Sequence, residues 1–125
     1  MKILIIEDEP KTGEYLRQGL KEASFTVDLA QNGNDGLHTA LEGEYDLVIL
    51  DVMLPEMDGF EMMEIINKEN LSPNSTKIFF SNKSQQSDVE RGTELGAVGF
   101  ITKSNFTPAE VIEQVVKILE QKNQK

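Results

Sequence analysis

Four short apolar runs in this chain each end on a residue that phosphoryl chemistry can use. KILII from Lys2 leads into Glu7 and Asp8, YDLVIL from Tyr45 into Asp51, KIFF from Lys77 into Ser81, and GFIT from Gly99 into Lys103. If these runs are parallel strands, all five polar groups meet at one edge. In open α/β sheets the working site lies outside the carboxyl ends of the strands, where the strand order reverses. Three carboxylates, a hydroxyl and an ammonium at that edge point to a metal-assisted phosphoryl-acceptor site.

Each group has a plainer alternative. An acidic pair after a strand, such as Glu7 and Asp8, can be a solvated turn or a helix cap. Together with Asp51, however, it offers the hard oxygen ligands that magnesium takes one or two at a time while keeping several waters. Asp51 follows an apolar run and precedes Val52-Met53-Leu54-Pro55, so it belongs at the buried end of a strand. A carboxylate buried beside two others needs a cation or donors to offset it, and carboxylates serve as covalent phosphoryl acceptors. Lys103 can pair with Asp51 at rest or with a phosphoryl oxygen afterwards. A lone lysine after a strand is usually surface decoration, and a lone serine such as Ser81 a turn former. Both draw their weight from position.

The segments that must place these groups alternate between strand length and helical period, the pattern of βαβ units closing a parallel sheet. Pro10 opens a first helix expected over 10–23, with Tyr15, Leu16, Leu20 and Ala23 on its apolar face. FTVDLA (25–30) reads as an edge strand with Asn32-Gly33 as its turn. Leu37, Ala40 and Leu41 mark a second helix stopped at Gly43. YDLVIL is apolar enough for a central strand. Asp58-Gly59 reads as turn chemistry before a third helix over 60–68. KIFFS is the fourth strand, SDVERGTELG a helix ending near Gly96, and GFIT the fifth strand. Thr107-Pro108-Ala109-Glu110 spells an N-cap, a first-turn proline and a capping-box glutamate, opening a last helix built on Val111, Val115, Ile118 and Leu119.

Bulk properties narrow the function. A chain of 125 residues suits one domain, expected over 1–122 with a short tail at 123–125. The absence of cysteine excludes disulfides, thiol nucleophiles and zinc-thiolate sites. A formal charge of −10 disfavours direct contact with nucleic acid or an anionic membrane. No apolar stretch approaches the roughly 20 residues of a membrane span, and MKILIIEDE lacks the features of a signal peptide, so a cytoplasmic location is expected. His38, the only histidine, reads as a partly exposed helical residue, and the methionines at 53, 57, 62 and 63 as loop and core packing.

The order Glu7-Asp8, Asp51, Ser81, Lys103, each after a strand of an alternating α/β chain, closely resembles the receiver domain of two-component response regulators, over essentially all of the sequence. The resemblance implies a doubly wound, flavodoxin-like, three-layer α/β/α fold with a five-stranded parallel sheet of order 2-1-3-4-5. It implies that Asp51 takes phosphate from a histidine kinase, with Mg2+ bound by Asp8, Asp51 and the backbone carbonyl of Met53 and reached by Glu7 through water. It implies that Ser81 and Lys103 hold the phosphoryl group and that Phe100 is a rotating aromatic switch, against the alternative of plain core packing. The output surface, for a partner protein or a missing effector domain, would be helix four, strand five and helix five. Such a domain is a signalling device and not an enzyme beyond its own phosphorylation and dephosphorylation.

The first 60 residues are similar to receivers of heavy-metal-responsive transcription regulators. SNKSQQSDVERGTELGAVGFITKSNFTPAEV is similar to another branch, in which the lysine is followed by a small polar pair. Residues 1–60 carry 13 acids against 4 bases and residues 61–125 carry 9 against 8, and with that charge step a mosaic or engineered chimera stays open. Where the common pattern has a cis proline after the lysine, Ser104 stands here; a trans bond is expected, since a cis bond before a non-proline costs roughly 3 kcal/mol. Asn82 and Lys83 after Ser81, where alanine is commoner, would narrow the approach to the phosphoryl group. An aspartyl-phosphate phosphatase would need an acid where Met53 stands, and a flavin carrier a Gly-, Ser- or Thr-rich loop where the chain is acidic. The remaining rival is a phosphorylation-incompetent scaffold of the same fold.

Overall fold

The computed structural model describes residues 1–71, 73–82 and 86–123. Strands β1 (Lys2–Ile6), β2 (Thr26–Ala30), β3 (Leu47–Asp51), β4 (Thr76–Ser81) and β5 (Gly99–Thr102) form one parallel sheet of order β2-β1-β3-β4-β5. Helices α1 (Pro10–Glu22), α2 (Gly33–Glu42), α3 (Gly59–Lys68), α4 (Gln86–Glu94) and α5 (Pro108–Asn123) connect and flank it. The direction of winding reverses between β1 and β3, which places the switch point between Glu7 and Asp51.

Strict alternation along the central strands divides the core in two. Ile3, Ile5, Leu47, Ile49, Ile78, Phe80 and Ile101 pack under Leu16 and Leu20 of α1 and Val111, Val115 and Leu119 of α5. Leu4, Ile6, Val48, Leu50 and Phe79 face Ala40 of α2 and Phe60, Met62, Met63 and Ile66 of α3. Strands covered on both faces carry no polar interior residues, which is why β1 and β3 read as unbroken apolar runs.

Several expectations need correction at element ends. Asn32-Gly33 is no free turn: the Asn32 side chain caps α2 by accepting from the Asp35 amide at 2.8 Å, and Gly33 is already helical. Ala23 lies past the end of α1 and is exposed, and Leu41 points outward at 65 % exposure while Gly36 and Ala40 form the buried stripe. Tyr45, buried ahead of β3, donates its hydroxyl to Asp28 Oδ2 at 2.7 Å. The capping box of α5 is present, Thr107 N donating to Glu110 Oε1 at 2.9 Å and Glu110 N to Thr107 Oγ1 at 3.3 Å. The last helix runs through Asn123.

Asp58-Gly59 does more than turn the chain. The Asp58 carboxylate accepts from the Glu61 amide at 2.8 Å and caps α3, while Gly59 N donates to Val52 O at 2.9 Å. A Cβ on Gly59 would stand 2.5 Å from the Asp51 carbonyl oxygen and 3.0 Å from Val52 Cα. Only glycine lets the start of α3 lie against the backbone that carries Asp51. Gly59→Ala is therefore expected to destabilise the protein by about 2 kcal/mol, because the obstructing atoms are backbone and cannot yield cheaply. Urea unfolding of the two forms measures this.

Candidate functional site

Each site residue arrives by the same rule. Glu7 continues the register of Ile3 and Ile5, Asp51 that of Leu47 and Ile49, and Lys103 that of Ile101, so all three leave the sheet toward α1 and α5. Ser81 follows Phe79 onto the other face and pairs in register with Thr102. Asp8 lies one step beyond Glu7 and is exposed. Glu7, Asp51 and Ser81 are 1 %, 3 % and 1 % exposed, an unusual density of buried polar groups in so small a domain.

One ammonium holds this edge together. Lys103 Nζ donates to Glu7 Oε2 at 2.8 Å and to Asp51 Oδ2 at 3.2 Å. The other Asp51 oxygen, Oδ1, accepts from the Met53 amide at 3.0 Å. The Asp51 carboxylate is thus oriented from both sides. Burial and the neighbouring Asp51 carboxylate outweigh the ammonium at Glu7 and push its pKa up to about 7. Burial alone would lower Lys103, but Glu7 and Asp51 together raise it, so it stays charged.

Carboxylate oxygens of Glu7, Asp8 and Asp51 lie within 4.8 Å of one another, with Asp8 on the open side. This is a donor set for a hard divalent cation. The Lys103–Ser104 bond is trans, and Lys103–Asn105 forms a single 3-10 turn that still delivers the lysine to the site. Asn82 is exposed, and Lys83 lies outside the described residues. His38 is exposed on α2, Met62 and Met63 are core, and Met53 is 67 % exposed, as expected.

Sequence reasoning paired Lys103 with Asp51 alone. The shorter bond to Glu7 went unread, although the register of Glu7 with Ile5 carried the signal. It also missed the close approach at Gly59.

The fold and this cluster define an α/β domain with an acidic cluster around a buried carboxylate and lysine. A family model described as "Response regulator receiver domain" matches residues 3–116, and the chain belongs to that family, the receiver domains of two-component response regulators. It is 44 % identical over 119 residues to the transcriptional activator protein IrlR of Burkholderia pseudomallei, covering 95 % of this chain and 50 % of that protein. It is 42 % identical over 119 residues to the transcriptional regulatory protein CusR of Escherichia coli, covering 95 % and 51 %. The chain thus spans about half the length of these relatives. In fold it is similar to a CheY-like receiver domain protein from Methanospirillum hungatei, with a TM-score of 0.87 at 24 % identity over 98 % of this chain and 96 % of that one. Receiver domains are signalling domains that bind magnesium at an acidic pocket, and Glu7, Asp8 and Asp51 form such a cluster here.

Because the cluster carries two buried carboxylates for one ammonium, its members are not equivalent. Lys103→Met leaves both carboxylates uncompensated and is expected to cost about 3 kcal/mol. Asp51→Asn leaves Glu7 paired and is expected to be near neutral or stabilising. Denaturant unfolding in EDTA separates the two; equal losses would contradict this reading.

Proposed function

We propose that Asp51 is the phosphoryl acceptor, taking phosphate from a phosphohistidine of a histidine kinase in the cytoplasm. The observation that carries this reading is the fixed Asp51 carboxylate, buried and held through both oxygens by Lys103 and the Met53 amide. A carboxylate oxygen attacks phosphorus, an O–P bond forms as the N–P bond breaks, and the departing imidazole nitrogen takes a proton from solvent. Lys103 keeps its charge and turns from the Asp51 oxygen to a phosphoryl oxygen, while Glu7 continues to anchor it. Ser81, at the end of β4, offers its hydroxyl to the same group.

The Glu7, Asp8 and Asp51 carboxylates fit Mg2+, which Asp8, Asp51 and the Met53 carbonyl would hold, with Glu7 reaching it through water. When bound it neutralises charge developing on the transferring phosphoryl oxygens. Among the described residues no helix is long and apolar enough to cross a membrane.

The output of this domain, on our reading, passes through α4, β5 and α5. Phe100 is half-buried, its ring centroid 6.0 Å from that of Phe79, and it lines a cavity of about 160 Å³ with Val89, Gly92, Thr93 and Ala97. That space beside the ring supports Phe100 as the moving aromatic, with a partner protein or an effector domain reading the surface. The unit that folds and switches is residues 1–122 on this reading, although α5 continues one residue further, to Asn123.

Acetyl phosphate with Mg2+ is expected to add one phosphoryl group, located on Asp51 by mass spectrometry after borohydride reduction. EDTA or Asp51→Asn abolishes it. Absence of the modification in the native chain would favour the inert scaffold.

A further inference from the structure

The Lys103 ammonium has a third neighbour that is not an acid. Its Nζ stands 4.9 Å from the centroid of the Phe80 ring. Phe80 is 1 % exposed and the Lys103 side chain 10 %, so the contact is largely removed from water, where attraction between a cation and an aromatic face is strongest. The register makes this meeting unavoidable. Phe80 pairs with Asp51 on one side and Ile101 on the other, and Lys103 lies two residues beyond Ile101 on the same face. The Lys103 ammonium thus lies over the face of the Phe80 ring while it reaches Glu7 and Asp51.

We infer that Phe80 is a positioning residue for phosphoryl transfer: its ring is the uncharged seat that keeps the Lys103 ammonium at the acceptor carboxylate. The inference rests on the reading of Asp51 as acceptor. An ammonium has three N–H donors, of which, among the described residues, Glu7 and Asp51 occupy two. A ring attracts the cation without taking a hydrogen bond, so the third donor stays available to an incoming phosphoryl oxygen. Phe80 neither titrates nor accepts phosphate, and its hold on Lys103 persists when Asp51 changes from a free carboxylate to an acyl phosphate. Of Glu7, Asp51 and Phe80, it is the one whose attraction for the ammonium does not depend on its own charge.

Two measurements test this. In the NMR spectrum the ε-methylene protons of Lys103 are expected upfield of those of the other lysines, shielded by the ring, and to return to the ordinary position in Phe80→Leu. Replacing Phe80 by phenylalanines carrying one, two and three ring fluorines keeps the shape nearly constant while draining the negative face of the ring. The rate of phosphorylation by acetyl phosphate is expected to fall stepwise, to about a tenth with three fluorines, while the urea unfolding midpoint stays level. Lys103 methylene shifts unchanged in Phe80→Leu would overturn the inference, as would a rate indifferent to fluorination or one that tracks a falling unfolding midpoint. A native chain that takes no phosphate would defeat the functional reading instead, and the methylene shift alone would then decide whether the ring seats the lysine.

Discussion

Two buried carboxylates compete for one ammonium at the edge of this sheet, and the arrangement of the whole domain follows from keeping them together. Glu7 comes from the end of β1, Asp51 from β3 and Lys103 from just past β5, elements separated by most of the chain. Alone, any of the three would be costly in so dry a place. With Glu7 ionised the three carry one net negative charge, which burial and the neighbouring Asp51 oppose by raising the Glu7 pKa to about 7, and the exposed Asp8 stands beside them. The resting site is held by electrostatics that remain unbalanced, a condition that a divalent cation or a redistribution of charge on Asp51 would alter. That imbalance makes the cluster suitable as a switch and poor as mere scaffolding.

The sheet supplies precision. Parallel pairing fixes Asp51 opposite Phe80 and Phe80 opposite Ile101, and alternation sends Glu7, Asp51 and Lys103 to the face covered by α1 and α5. Ser81 and Phe79 turn to the other face, where Phe79 contacts both Phe60 of α3 and Phe100 of β5. The site therefore straddles the sheet, and Phe79 links the start of α3, packed on the Asp51 backbone through Gly59, with the ring proposed to move. Arg91 of α4, 4.6 Å from the Phe60 centroid, ties that helix to the same aromatic group. A change at Asp51 has a packed route toward α4 and β5.

Much of this was legible from residue order. Glu7, Asp8, Asp51, Ser81 and Lys103 were readable because each closes an apolar run, and a strand's length and period fix where its end must be. The strand order followed from the resemblance to receivers, and the trans bond after Lys103 from the absence of proline there. What escaped depended on distance across the fold. Nothing local distinguishes Asn32 as a cap from Asn32 in a turn, since both use the same side-chain acceptor. Leu41 fits the apolar spacing of α2 and still faces outward, because Gly36 and Ala40 let the helix approach β1 closely on another stripe. Gly59 reads as a turn glycine until its missing Cβ is placed against Asp51. Phe80 reads as ordinary core, and only the path of Lys103 over its ring gives it a second role.

On the proposed function, the Glu7, Asp51 and Lys103 cluster re-partners when Asp51 carries a phosphoryl group, and the change reaches Phe100. The most direct measurement is the backbone amide spectrum with Mg2+ and beryllofluoride, a mimic of the acyl phosphate, beside an Asp51→Asn control. Shifts at Asp8, Asp51, Ser81 and Lys103 that continue to Phe100 and α5 are expected, and none in the control. Shifts confined to the site, or no shifts at all, would contradict this reading.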